Sequence, residues 1–258
     1  MIDRTGLVLD LDERFDAATL DETVWLAHYL PHWTTPERSA ARYRLGDGRL
    51  DLRIEQDQPE WAPDIVAGMR VSNLQTGHVA GPLGSAIGQH RTDERLVVRT
   101  EHPTRALRLV RHGIVEARIR VSPDPSCMTA LWMIGVEDEP ERSAEICVME
   151  VFGRELDAGG GLVGVGVHPH HDPRVGDSFR KVHRDGDLSE WHDYAVDWTA
   201  DRIRFFIDGD LLHTVDERID YPMQLMLDLF EFPEHDDRPT DAYPKTASVD
   251  RVEVWRRP

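Results

Sequence analysis

Glu145 and Glu150 stand five residues apart in the stretch Glu145-Ile146-Cys147-Val148-Met149-Glu150, a run apolar enough to form a buried strand. Two carboxyl groups facing each other about 5–5.5 Å apart can hydrolyse a glycosidic bond with retention. One attacks the anomeric carbon, while the other protonates the departing oxygen and then activates water. A regular strand forbids this pairing. Its side chains alternate, so Glu145, Cys147 and Met149 share one face and Glu150 takes the other, roughly 16 Å along the backbone. One β-bulge restores the parity by inserting an extra residue. The consecutive apolar residues Val148 and Met149 mark where it belongs. It predicts Glu145, Cys147 and Glu150 on one face, with Ile146 and Val148 in the core. Spacing alone leaves open the alternative that one glutamate is an ordinary surface charge.

Other residues near this stretch offer recognition chemistry. Trp132, in Thr129-Ala130-Leu131-Trp132-Met133-Ile134, can present its ring to the C–H face of a sugar or fill a core. His168, His170 and His171 with Asp172 invite a zinc reading, although adjacent histidines in a proline-bearing loop are more often simply solvated. Gln89-His90-Arg91 follows a glycine-rich loop, where it either meets sugar hydroxyls or begins a strand. Glu231 and the acidic loop from Glu234 to Asp241 either border the cleft or, as such acidic stretches more often do, form a solvated rim.

Alternation with period two dominates the elements that must position these groups. It runs through Leu50–Glu55, Val115–Val121 and Val249–Trp255. Arg202–Ile207, Asp208-Gly209 and Asp210–Leu212 read as a β-hairpin, because Asp-Gly accepts the positive φ of a tight turn. The best helical candidate is short, around Asp21 to Tyr29, with Asp16 or Thr19 as a cap and Trp25 packed inward. No repeat or domain linker interrupts the 258 residues, so a single domain over 1–258 is expected. Many strands separated by turns predict an all-β, two-sheet sandwich or jelly roll.

The net charge of −18 opposes nucleic acid and anionic membrane surfaces as partners. No apolar run is long enough to span a bilayer. The start, MIDRTGLVLDLDERFD, lacks the apolar core of a signal peptide, which predicts a cytoplasmic protein, or a secreted one if a leader was removed. A monomer is expected. Cys127 and Cys147 are too few for a disulfide framework and are expected to be reduced.

Taken in order, these segments resemble glycoside hydrolase family 16, the concanavalin-like glucanase and galactanase family. Its Glu-x-Asp-x-x-Glu strand, preceded by a tryptophan strand, is similar to Glu145–Glu150 preceded by Trp132. Phe15-Asp16 with Trp25, Gly113–Arg120, Trp191–Thr199, Pro222–Leu229 and Val249–Trp255 extend the likeness across about residues 12–256. The resemblance implies an antiparallel β-sandwich with a concave cleft, acting on an oligosaccharide or polysaccharide. It implies Glu145 as nucleophile, Glu150 as general acid/base, and Trp132, Cys147 and His168 lining the cleft. It also implies a structural calcium held by Asp250 and the Gly48 carbonyl, with no cofactor needed for catalysis.

One position departs from the pattern. Cys147 stands where the family has aspartate. A thiol is a weak donor and shares no proton as a carboxyl does, so a less strongly raised Glu150 and a slower enzyme are expected. Changing Cys147 to aspartate should increase turnover. The same departure motivates an alternative, a carbohydrate-binding protein without turnover, although two placed carboxylates argue against it. Transglycosylation would use the same residues.

Overall fold

The computed structural model describes residues 2–232 and 242–257. Strands β1 (Val8–Glu13), β2 (Arg42–Gly46), β3 (Arg49–Ile54), β4 (Arg70–Gln75), β5 (Gly77–His78) and β6 (Arg105–Ala106) come first. Then follow β7 (Leu109–Val110), β8 (Gly113–Arg120), β9 (Cys127–Gly135), β10 (Glu145–Phe152), β11 (Leu156–Asp157) and β12 (Gly160–His168). The last are β13 (Arg180–Asp185), β14 (His192–Trp198), β15 (Ile203–Ile207), β16 (Asp210–Val215), β17 (Met223–Glu231) and β18 (Lys245–Arg256).

One sheet runs β16-β15-β14-β8-β18-β3-β2, with β1 also on β18. The other runs β11-β12-β10-β9-β17-β4, with β13 on β12 and β7 on β17. The result is the two-sheet antiparallel sandwich anticipated from the alternation, open as a jelly roll rather than closed. Its strands carry the apolar period of two that burial of one face demands. Val163, Val165 and Val167 of β12 join Leu131 and Met133 of β9 and Leu225, Leu227 and Leu229 of β17 in the core between the sheets. Asp208 and Gly209 turn the β15–β16 hairpin with φ of 50° and 80°, the conformation that Asp-Gly tolerates best.

The helix expected at Asp21–Tyr29 is a single turn instead. The Asp21 carboxylate accepts hydrogen bonds from the Thr23 backbone and hydroxyl, and its carbonyl accepts from Val24 and Trp25. Leu26 then pairs with Gln75 at the edge of β4, so sheet pairing captures the backbone before a second turn forms. Trp25 is buried as anticipated, with its indole N–H on Glu13. Cys127 and Cys147 are both free and buried. Among the described residues, no helix is long and apolar enough to cross a membrane.

A second apolar cluster lies on the outer face of the β10-containing sheet. Tyr29, Trp61 and Leu96 from loops and Trp33 from a short 3-10 helix pack over Met128 and Trp132 of β9 and Met226 and Phe230 of β17. These loops wall the cleft, leaving open the stretch beside β10.

Candidate active site

Strand β10 carries the bulge that the two glutamates require. Against β9 the partners run Glu145↔Ile134, Ile146↔Met133 and Cys147↔Trp132, then shift to Met149↔Leu131 and Glu150↔Ala130. Against β12 the shift falls at the same place, with Cys147↔Gly166 and Glu150↔Gly164. Residues directly opposite share a face, so Glu145, Cys147 and Glu150 lie in one row on the cleft face. Ile146, Val148, Met149 and Val151 all point into the core. One ligand-capable atom from each member of that row lies within 4.8 Å of the others. The side-chain tips are thus far closer than the backbone spacing suggests.

The two carboxyl groups meet different surroundings. The Glu145 Oε2 atom lies 3.0 Å from Nε2 of His170. An ionised carboxylate only accepts hydrogen bonds, so the imidazole donates. Burial alone would lower the His170 imidazole, but that hydrogen bond and the charges of Glu145, Glu137 and Asp177 outweigh it and raise it. Glu150 meets the Cys147 thiol instead. Burial, then the charge of Glu145, pushes its carboxyl up to about 7, against weaker opposing effects of the Cys147 hydrogen bond and Lys181. The absent aspartate therefore does not prevent a raised Glu150, because desolvation is the leading cause. The Cys147 thiol is itself held well above its ordinary value by burial and by both glutamates, so it is no nucleophile.

Strand β12 makes room for this row. A Cβ on Gly164 would come within 3.3 Å of the Glu150 Cβ and 2.6 Å of the Phe179 ring. Gly166, with φ of 141°, has the Phe179 Cα where a Cβ would stand, at 2.5 Å. The small residues of this strand thus admit the segment around Ser178 and Phe179.

A cavity of about 180 Å³ opens over the row, lined by Tyr29, Trp132, Glu145, Glu150 and Phe230 among others. Trp132 is 5% exposed and donates its indole N–H to Asp228 Oδ2 at 2.6 Å. Asn73 donates to the other Asp228 oxygen at 2.7 Å. Burial raises the Asp228 carboxyl well above its usual range despite these two donors, and Glu145 and Glu150 push it further. Cys147 is fully buried beneath this surface. His168 shares the cleft face opposite Glu145, but its ring stacks on Phe179 and lies 3.4 Å from Asp177. The imidazole on Glu145 belongs to His170, two residues later.

Sequence reasoning passed over His170 as a solvated loop residue and left His90 undecided. His90 lies beside Trp132, ring centroids 5.2 Å apart, and beside His170 at 4.8 Å. Its backbone N–H donates to Glu137 Oε1 at 2.6 Å. Burial lowers the His90 imidazole to about 4 and raises the Glu137 carboxyl to about 7. The proposed His168-His170-His171-Asp172 zinc set is dispersed: Asp172 is bound by Arg174 and Tyr221 instead. Glu231 is a correction too. It is 1% exposed and holds Arg70, Tyr243 and Lys245, so it anchors strands rather than edging a cleft. The loop Glu234–Asp241 lies outside the described residues.

The calcium expectation at Asp250 and Gly48 meets an unsuitable donor set. The Asp250 carboxylate lies 3.4 Å from an Arg251 guanidinium nitrogen and 4.0 Å from that of Arg118. Two cations beside the one side-chain ligand oppose a third.

The model of the glycosyl hydrolases family 16 matches residues 100–243, which contain the whole bulged row. The chain belongs to this family. Solved structures agree on the fold. A GlcNAcα1-4Gal-releasing endo-β-galactosidase from Clostridium perfringens is similar with a TM-score of 0.83 and 24% identity, over 100% of this chain and 64% of that one. The present chain thus spans under two thirds of that protein. Laminarinase from Flavobacterium sp. UMI-01 gives a TM-score of 0.67 at 19% identity, covering 96% of this chain and all of that one. Endo-β-1,3-glucanase from Pyrococcus furiosus gives 0.65 at 18%, covering 98% and 97%. No curated protein matches the chain by sequence.

Proposed function

We propose that this family 16 domain is a retaining β-glycosidase, with Glu145 as nucleophile and Glu150 as general acid/base. The observation that carries the reading is the bulge in β10, which brings both carboxyl groups onto one face within 4.8 Å. So close an approach supports retention, at about 5–5.5 Å, over inversion, which needs roughly 6.5–9.5 Å.

The environments supply the division of labour. Glu150, raised to about 7 by burial, carries a proton near neutral pH and gives it to the glycosidic oxygen as the C–O bond breaks. Glu145, oriented by His170, closes on the anomeric carbon and forms the glycosyl ester. Glu150, now a carboxylate, takes a proton from water, whose oxygen displaces Glu145 and frees the sugar. No metal or cofactor enters these steps. Trp132, Tyr29 and Phe230 offer the apolar surface that a sugar's C–H face requires.

The substrate we propose is a β-linked galactose-containing glycan, ahead of β-glucan. The higher TM-score to the endo-β-galactosidase than to the glucanases supports it. The loop-walled cleft favours short glycans. A mechanism-based fluoroglycoside should label Glu145 in the trapped protein, as read by peptide mass spectrometry; a label on any other residue ends the assignment. Glycan binding that persists without turnover across galactans, β-glucans and xyloglucan would favour the binding-protein reading that Cys147 motivates.

A further inference from the structure

We propose that His90, His170 and Glu145 form a zinc site at the nucleophile end of the cleft, through which the ion reversibly masks Glu145. One ligand-capable atom from each of the three residues lies within 4.8 Å of the other two, and Nε2 of His170 is already 3.0 Å from Oε2 of Glu145. A tetrahedral zinc with bonds of about 2.0–2.1 Å places its ligands roughly 3.4 Å apart. The set therefore closes on the ion by a contraction of about an ångström. Two imidazoles and one carboxylate are a zinc donor set that leaves a fourth position open. Nitrogen ligands argue against calcium or magnesium.

The three ligands come from three separate segments, two of them with left-handed backbone at the ligand itself. His90, Glu137 and His170 are non-glycine residues with φ of 52°, 53° and 45°. Left-handed backbone at residues that carry a Cβ is costly and gathers where function demands it. Glu137 accepts the His90 N–H at 2.6 Å. The neighbouring Gln89 is fully buried, taking the Val79 N–H at 2.7 Å and donating to Gln224 and the Gly135 carbonyl at 3.0 and 3.1 Å. Glycosidic chemistry at Glu145 and Glu150 asks nothing of His90, yet its backbone is fixed by Glu137 and its neighbour Gln89 is hydrogen-bonded on every side of its amide. The other cluster of potential ligands among the described residues, Glu145 with Cys147 and Glu150, would have to use a fully buried thiol.

Metal binding stands independently of the enzymatic reading, whereas masking rests on Glu145 being the nucleophile. The test uses chelator-treated protein without a polyhistidine tag, titrated with Co²⁺ and followed by its visible d–d absorption. One saturable equivalent is expected, displaced by Zn²⁺. Binding should weaken in both His90→Gln and His170→Gln by more than the 10- to 100-fold that loss of a supporting residue costs. His171→Gln and Cys147→Ser should bind as wild type does. Absence of a Co²⁺ signal in wild type overturns the site, as does unaltered affinity in either histidine variant with native thermal unfolding. In parallel, Zn²⁺ should abolish glycan hydrolysis and a chelator restore it. One equivalent bound with hydrolysis intact overturns masking and leaves the metal site in place, while fluoroglycoside labelling decides the nucleophile separately.

Discussion

Glu145 and Glu150 are the same side chain on the same strand, yet one end of their row meets imidazole and carboxyl partners while the other meets a thiol and bare backbone. Glu145 meets His170, with His90 and Glu137 behind it. Glu150 meets the bare backbone of Gly164 and a buried thiol. A hydrogen-bonded carboxylate is fixed in direction, and a desolvated one keeps its proton. Two roles thus arise from identical chemistry by placement alone.

The most drastic way to break this comparison is Glu145→Gln, expected to lower kcat by about 10⁴-fold or more for every substrate, since the ester no longer forms. Glu150→Gln should cost about 10²–10⁴-fold on natural glycans and far less on aryl glycosides whose leaving group needs no proton. Equal losses on both substrates would erase the distinction between the ends. The same variant reads out desolvation. A carboxyl raised from 4.5 to about 7 leaves folding untouched below pH 4.5, weakens it progressively as pH rises towards 7, and costs up to about 3 kcal/mol above that. Glu150→Gln should therefore unfold at higher temperature than wild type at pH 8 and match it at pH 4. Wild-type kcat/KM should fall through an alkaline limb near pH 7. Cys147→Asp should move that limb upward by adding a negative charge beside Glu150, and raise turnover. Smallest of all, Lys181→Gln should shift it upward by a fraction of a unit, because Lys181 now favours the ionised Glu150. Both shifts are read from pH–rate profiles.

The comparison also marks where sequence stops speaking. The glutamate row was legible because its rule is local: two apolar residues in succession break the alternation at Val148-Met149, and a bulge is the simplest repair. The sheets were legible for a similar reason, since a half-buried strand declares itself every second residue. The partners of Glu145 obey no such period. His90 and His170 sit on loops 80 residues apart in sequence, and only the fold sets their rings 4.8 Å from each other. His168 carried the family-like position, but β12 ends there and the chain turns so that His170 makes the contact. Asp228 was hidden differently. It lies in an apolar strand as one more outward residue, and its meaning depends on Asn73 and Trp132 arriving from the two flanking strands. Loop aromatics such as Tyr29 and Trp61 likewise gave no sign that they would roof the cleft.

The bulge in β10 makes the catalytic pair depend on a count as well as on identities. Removing one codon at Val148 would leave every catalytic side chain in the protein and let β10 pair with β9 without interruption. The old Glu150 would then stand four residues from Glu145, still on its face, whereas losing two would drive it between the sheets among Leu131 and Val165. Substitutions in this strand can be tried one at a time and reversed. At the bulge itself, the loss of one residue keeps the pair on one face, whereas the loss of two trades the active site for a charge buried in the core.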